Sequence, residues 1–212
     1  MGWPCEDPGR SSKGAVRMGL DYGYQIYLPA RNVARALGEL TRLAPPDDRV
    51  PPLTVTLPGG ERVTVPFTSG FKSEPVDCSA GGELDLDTSI MFGADDAVRA
   101  YADGHGMVPD GLGRVAVGYV YLTGTFESPL HPRHALLDFT AATSEMSRLF
   151  ERSASIREVF TGLAAASGAV CCLLDTESET SRATWLNGRP VDEAVPGMFS
   201  EGFRDFTATW DD

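Results

Sequence analysis

Apolar and polar positions alternate in "LDYGYQIYL", residues 20–28, so Leu20, Tyr22, Tyr24, Ile26 and Leu28 share one face, as a half-buried strand requires. Pro29 stops the run and the period changes at once. Val33, Leu37, Leu40 and Leu43 recur at spacings of four, three and three, the stripe of an amphipathic helix. The "APPDD" that follows cannot continue it, because proline lacks the N–H and its ring collides with the preceding turn. Alternation returns at Leu53, Val55 and Leu57. Val63, Val65 and Phe67 answer across Gly59-Gly60, which predicts a β-hairpin with one buried face.

Leu84, Leu86, Ile90 and Phe92 predict a further strand, and Asp95 and Asp96 then open a helix over 94–103, where carboxylates suit the positive end of the helix dipole. A Gly-rich connector leads to "RVAVGYVYLTGTF", residues 114–126, which is apolar on both faces and so predicts a central strand. Two helices, or one bent helix, are expected over 135–151 and 155–166, the second part with Ile156, Val159, Phe160 and Leu163 as its stripe. "GAVCCLLD" predicts a buried strand over 168–175, partnered by "RATWLNGRPV" and ending at Asn187-Gly188. The fold class is therefore α+β, a mostly antiparallel mixed sheet packed by three to four helices. Residues 1–17 read as a disordered tail and 18–212 as a single domain. The order strand, helix, hairpin at 20–67 recurs at 114–187, which suggests two similar halves, 18–104 and 112–212, with a cleft between them.

Composition narrows the function. With 42% apolar residues in 212, the chain can bury a sizeable core. No apolar run approaches the roughly 20 residues that span a bilayer. The N-terminal stretch has no apolar core of a secretory signal, so a cytoplasmic location is expected. A net charge of −12 argues against nucleic acid and anionic membrane surfaces as partners, and favours a basic protein. Cys5, Cys78, Cys171 and Cys172 show no metal or redox spacing. The adjacent Cys171 and Cys172 point to opposite faces of a strand and read as core residues.

Four groups of residues could carry chemistry. In "HPRHALLD", a helix starting near Pro132 would place His134 and Asp138 on one face, with His131 at its cap, a candidate site for a divalent metal. Pro129 and Pro132 favour a stiff loop instead, and the spacing matches no established two-histidine signature. On the strand at 83–89, Glu83, Asp85 and Asp87 align at roughly 7 Å intervals, an acidic docking strip. In the tail, Phe203, Phe206 and Trp210 recur at helical spacing beside acidic residues, an aromatic anchor for a basic partner or a segment docked on the protein's own core. Tyr22, Tyr24, Tyr119 and Tyr121 could line a ligand cleft. No nucleophile elbow or phosphate-binding glycine motif is present, and no catalytic residue or required cofactor is indicated. Two functional classes follow. The first is a non-enzymatic binding protein, inhibitor- or immunity-like, whose acidic surface meets a basic protein. The second is a small-molecule-binding or metal-dependent enzyme.

Overall fold

A computed structural model describes residues 19–45, 52–65, 76–127 and 133–211, so the expected N-terminal tail, His131 and Phe67 lie outside the described residues. In chain order the elements are β1 (Gly23–Pro29), a 3-10 turn (Ala30–Asn32), α1 (Val33–Thr41), β2 (Leu53–Thr56), β3 (Arg62–Val65), β4 (Val76–Asp77), β5 (Glu83–Gly93) and α2 (Asp96–His105). They continue with β6 (Arg114–Thr125), β7 (His134–Ala141), α3 (Ser144–Arg152), α4 (Ala154–Ser167), β8 (Cys171–Asp175), β9 (Thr180–Leu186), β10 (Arg189–Pro196) and α5 (Phe203–Thr207).

Seven strands form one sheet in the order β10-β9-β8-β1-β7-β6-β5, and every pairing in it is antiparallel. The β2–β3 hairpin forms a second, three-stranded sheet with β4, which pairs parallel to β2. The fold is thus α+β, as the periodicity predicts. Because β1 lies between β7 and β8, elements of both expected halves share one sheet.

Helices α1 to α4 bury one face of the large sheet. Phe160 of α4 stands at the centre of that core, stacked on Tyr24 at 4.3 Å and in contact with Phe92, Phe139 and Phe150. On the other face α5 and Trp210 pack over Tyr27, Cys171, Leu173 and Val195. The two adjacent cysteines point to opposite layers, Cys172 into the helical core and Cys171 under α5. Among the described residues, no helix is long and apolar enough to cross a membrane.

Three local expectations are corrected. The helix expected over 135–151 is strand β7 followed by α3. Burial along 134–141 alternates with period two, and pairing to β1 and β6 outweighs the helix-compatible run Ala135-Leu136-Leu137. The helix starts only at Ser144, with the Thr143 hydroxyl accepting from the Met146 N–H at 3.2 Å. Strand β6 is next to the sheet edge, not central. It looks apolar on both faces because a bulge at Gly118, φ 124°, shifts its phase, so Val115 and Val117 and then Val120 and Leu122 all face the helices. Finally, Asn187-Gly188 does not end the sheet. Both residues have positive φ, the turn that joins β9 to β10, and β10 escaped notice because it is an exposed polar edge.

Asp95 ties two helix starts together. Its Oδ1 accepts from the Val98 N–H at 2.9 Å and caps α2, while its Oδ2 accepts from the Ser153 hydroxyl at 2.8 Å and the Ser155 N–H at 3.1 Å at the start of α4. Burial pushes this carboxyl up, but the N–H donors of Val98 and Ser155 outweigh it, and the net shift is downward. A folded-state value below the unfolded one gives stability that is present above the ordinary aspartate range and lost as pH falls through the folded value. Asp95→Ala is expected to cost about 2 kcal/mol at neutral pH, two caps at about 1 kcal/mol each, with the difference from wild type shrinking in acid; urea unfolding at both pH values measures it.

Candidate functional site

The face of the large sheet opposite α1 to α4 has two parts. Under α5 it is apolar. Beyond α5 it is polar and open, and register places its residues in rows across the strands. One row runs Asp87, Tyr121, Thr140, Gly23, Asp175; the next runs Asp85, Thr123, Asp138, Gln25, Leu173. Tyr121 and Asp175 are three strand spacings apart, roughly 14 Å. Thr123 donates to Asp85 at 3.1 Å, joining the edge strand to the row.

Gln25 is the hub. It is 3% exposed, and its Nε2 donates to Asp138 Oδ2 at 3.3 Å and to Asp175 Oδ2 at 3.5 Å. Its Oε1 accepts from the Tyr27 hydroxyl at 3.3 Å. Thr140 donates to Asp138 Oδ1 at 3.1 Å, and the Glu177 N–H donates to Asp175 Oδ1 at 2.9 Å. Gly23 keeps the space above Asp138 clear, since a Cβ there would stand 3.0 Å from Asp138 Oδ1. Burial raises the Asp138 carboxyl above its ordinary value. The hydrogen bonds from Thr140 and Gln25 offset part of this, and the neighbouring Asp175 charge adds to it.

Gln25, Asp138 and Asp175 floor a pocket of about 1170 Å³, walled by the β8–β9 turn and the segment 194–202. Six carboxylates line it, those of Asp21, Asp138, Asp175, Glu177, Glu179 and Glu201, and no Lys, Arg or His among the described residues does. Phe199 stands at its wall, 92% exposed. Across the open face, Tyr119 and Tyr121 are 55% and 47% exposed. A carboxylate-lined pocket without internal cations attracts positive charge, and exposed aromatic faces hold it.

The residues singled out in the sequence are distributed as follows. Glu83 and Asp85 are exposed and Asp87 half-buried on β5, at the edge of the open face. Phe203 and Trp210 are buried against Tyr27 and Phe206 is half-buried beside them, so this aromatic group is packing for the protein's own sheet and not an exposed anchor. The four tyrosines do not share a cleft. Tyr24 is in the helical core and Tyr22 precedes β1 beside α3, while Tyr119 and Tyr121 face outward. His134 is buried edge-on against Trp210, at 5.9 Å. It shares a strand with Asp138 at four residues' separation, roughly 13 Å, so the helical convergence expected for a metal does not form. No group of three or more His, Cys, Asp or Glu among the described residues could hold a metal ion.

Sequence reasoning missed Gln25 and Asp175. The available signal was a lone amide inside the strand "YGYQIYL" and an acid ending "CCLLD", but nothing local says that these strands are neighbours. No protein-family model matches the chain, and no curated protein or solved structure is significantly similar to it.

Three outcomes are expected. Carboxyl resonances should show Asp138 titrating above the ordinary aspartate value of about 3.9. Its folded value lies above its unfolded one, so its contribution to stability is full below the unfolded value and declines as pH rises through the folded one. Asp138→Asn should therefore gain stability relative to wild type as pH rises above the ordinary aspartate value, in urea unfolding. Phe203→Ala should cost about 3–5 kcal/mol of stability, which is read by the same unfolding experiment.

Proposed function

We propose that this chain is a non-enzymatic binding protein whose open sheet face receives a basic protein partner, in the manner of an inhibitor or immunity protein. One observation carries the reading: a pocket that six carboxylates and, among the described residues, no cation line shares its sheet face with the acids of β5 and with exposed Tyr119 and Tyr121. The net charge of −12 extends the same field over the molecule and would steer a basic partner toward it. The aromatics at the contact are then Tyr119, Tyr121 and Phe199, in place of the buried pair in the tail.

A small-molecule or enzymatic reading draws on one feature, the pairing of Asp138 with Asp175 across Gln25. Two carboxyls bridged by one amide, with burial raising the proton affinity of Asp138, offer a frame for acid–base work. Salt separates the two readings, because docking of a basic chain weakens as ions screen it, and a neutral ligand held inside a pocket is indifferent.

A hexa-lysine peptide, titrated calorimetrically, should bind at about 0.05 M salt and weaken steeply by about 0.3 M. Tyr121→Ala should weaken it a few-fold, in line with a cation–π contact of about 0.5–1 kcal/mol. Glu145→Gln, on the helical side, should leave it unchanged. No binding, or equal loss from both variants, contradicts docking on this face.

A further inference from the structure

The C-terminal segment 197–211 lies over the sheet as a strap, and one side chain fastens its end. Asn187 and Gly188 form the two-residue turn between β9 and β10, both with positive φ, 47° and 81°. The Asn187 side chain spends both ends of its amide on the strap. Its Nδ2 donates to the Thr209 carbonyl at 2.8 Å, and its Oδ1 accepts from the Asp211 N–H at 3.0 Å. These two bonds bracket Trp210, whose ring packs on Tyr27 at 4.7 Å and edge-on against His134 at 5.9 Å. Phe203 is a second buried anchor. Beneath the strap lie Tyr27, Cys171 and Leu173, all fully buried, so whatever fastens it decides whether an apolar part of the sheet stays covered.

Asparagine followed by glycine is also the pair most prone to deamidate, because glycine has no side chain to obstruct its own backbone nitrogen. The Gly188 nitrogen attacks Asn187 Cγ, the Cγ–Nδ2 bond breaks, and Nδ2 leaves as ammonia with the Gly188 N–H proton, which closes a succinimide ring. Water then opens the ring at either carbonyl and leaves aspartate or isoaspartate at position 187. Nothing is oxidised or reduced, and water, the only co-reactant, reaches the turn because Gly188 is exposed. The attack requires the side chain to swing back over Gly188, and the bonds to Thr209 and Asp211 hold it on the strap instead. We propose that Asn187 is a self-modifying latch: the closed strap protects it, and once the strap lifts, deamidation removes the clasp and leaves the strap unfastened. Aspartate keeps an acceptor for the Asp211 N–H but has no N–H for the Thr209 carbonyl and sets a negative oxygen against it. Isoaspartate also lengthens the backbone of a turn whose length fixes the β9–β10 register. The latch concerns the apolar part of this face and does not depend on the docking of a basic chain.

The test holds the full-length protein in mildly alkaline buffer and follows deamidation at position 187 by peptide mass spectrometry. The wild-type rate should be at least about tenfold below that of the isolated peptide spanning residues 185–190, since a protected site reacts only while it is open. Trp210→Ala, which frees the strap without touching the turn, should bring the rate toward the peptide's while amide exchange in α4 and β1 stays slow. Hydrogen exchange then reads the consequence of losing the clasp. Asn187→Asp, and Asn187→Gly, which suits the positive-φ turn, should each speed amide exchange at 208–211 by about fivefold or more and leave β1 and α4 unchanged. If Trp210→Ala loosens the whole sheet, the two Asn187 variants decide alone. A wild-type rate equal to the peptide's overturns the latch. So does unchanged exchange at 208–211 in both Asn187 variants, or a rise shared equally by β1 and α4.

Discussion

The pairing of β1 with both β7 and β8 is the contact on which the rest depends. It links the two ends of the large sheet, and it places Gln25 between Asp138 and Asp175, whose strands come from distant parts of the chain. β1 also divides its side chains between two chemistries. Tyr24, Ile26 and Leu28 enter the helical core, while Gln25 and Tyr27 look the other way. The aromatic cluster around Phe160 therefore holds the strand whose opposite face carries the site. A cavity in that cluster would be felt across the sheet, because packed interiors relax only partly.

A seven-stranded sheet has two faces to cover. Four helices cover one, and the short C-terminal segment covers part of the other. The uncovered remainder has to be polar to stay in water, and here it is polar with a single sign. That bias is more than solubility requires. Solvated faces ordinarily mix charges, and this chain does so elsewhere, where Arg182 pairs with Asp192 and Arg42 with Glu39. Around Gln25 the acids are neighbours of one another, and burial raises the proton affinity of Asp138.

Much of the fold is legible in the sequence wherever one periodicity holds over a whole element. The strand at β1, the stripe of α1, the β2–β3 hairpin, the alternation of β5 and the stripe of α4 all carry it. Legibility fails where the signal is two-sided or shifted. β7 is apolar enough to pass for a helix, Gly118 breaks the phase of β6, and β10 is an edge with little to bury. The site was less legible for a different reason. Its parts are joined by strand order and register, and no local window contains the facts that Asp138 neighbours Gln25 or that Gln25 neighbours Asp175. The acids of β5 could be aligned on one face because they share a strand. The tail aromatics were visible as a stripe, but which side of that stripe meets Tyr27 is a tertiary fact.

The most direct measurement is the map of backbone amide shifts when hexa-lysine is titrated into isotope-labelled protein. Docking on the open face requires shifts along β6, β7, β1 and β8 and in the segment 194–202, strongest around Gln25 and Asp175. Shifts centred on α1 to α4, or spread evenly over every acidic surface, would contradict it.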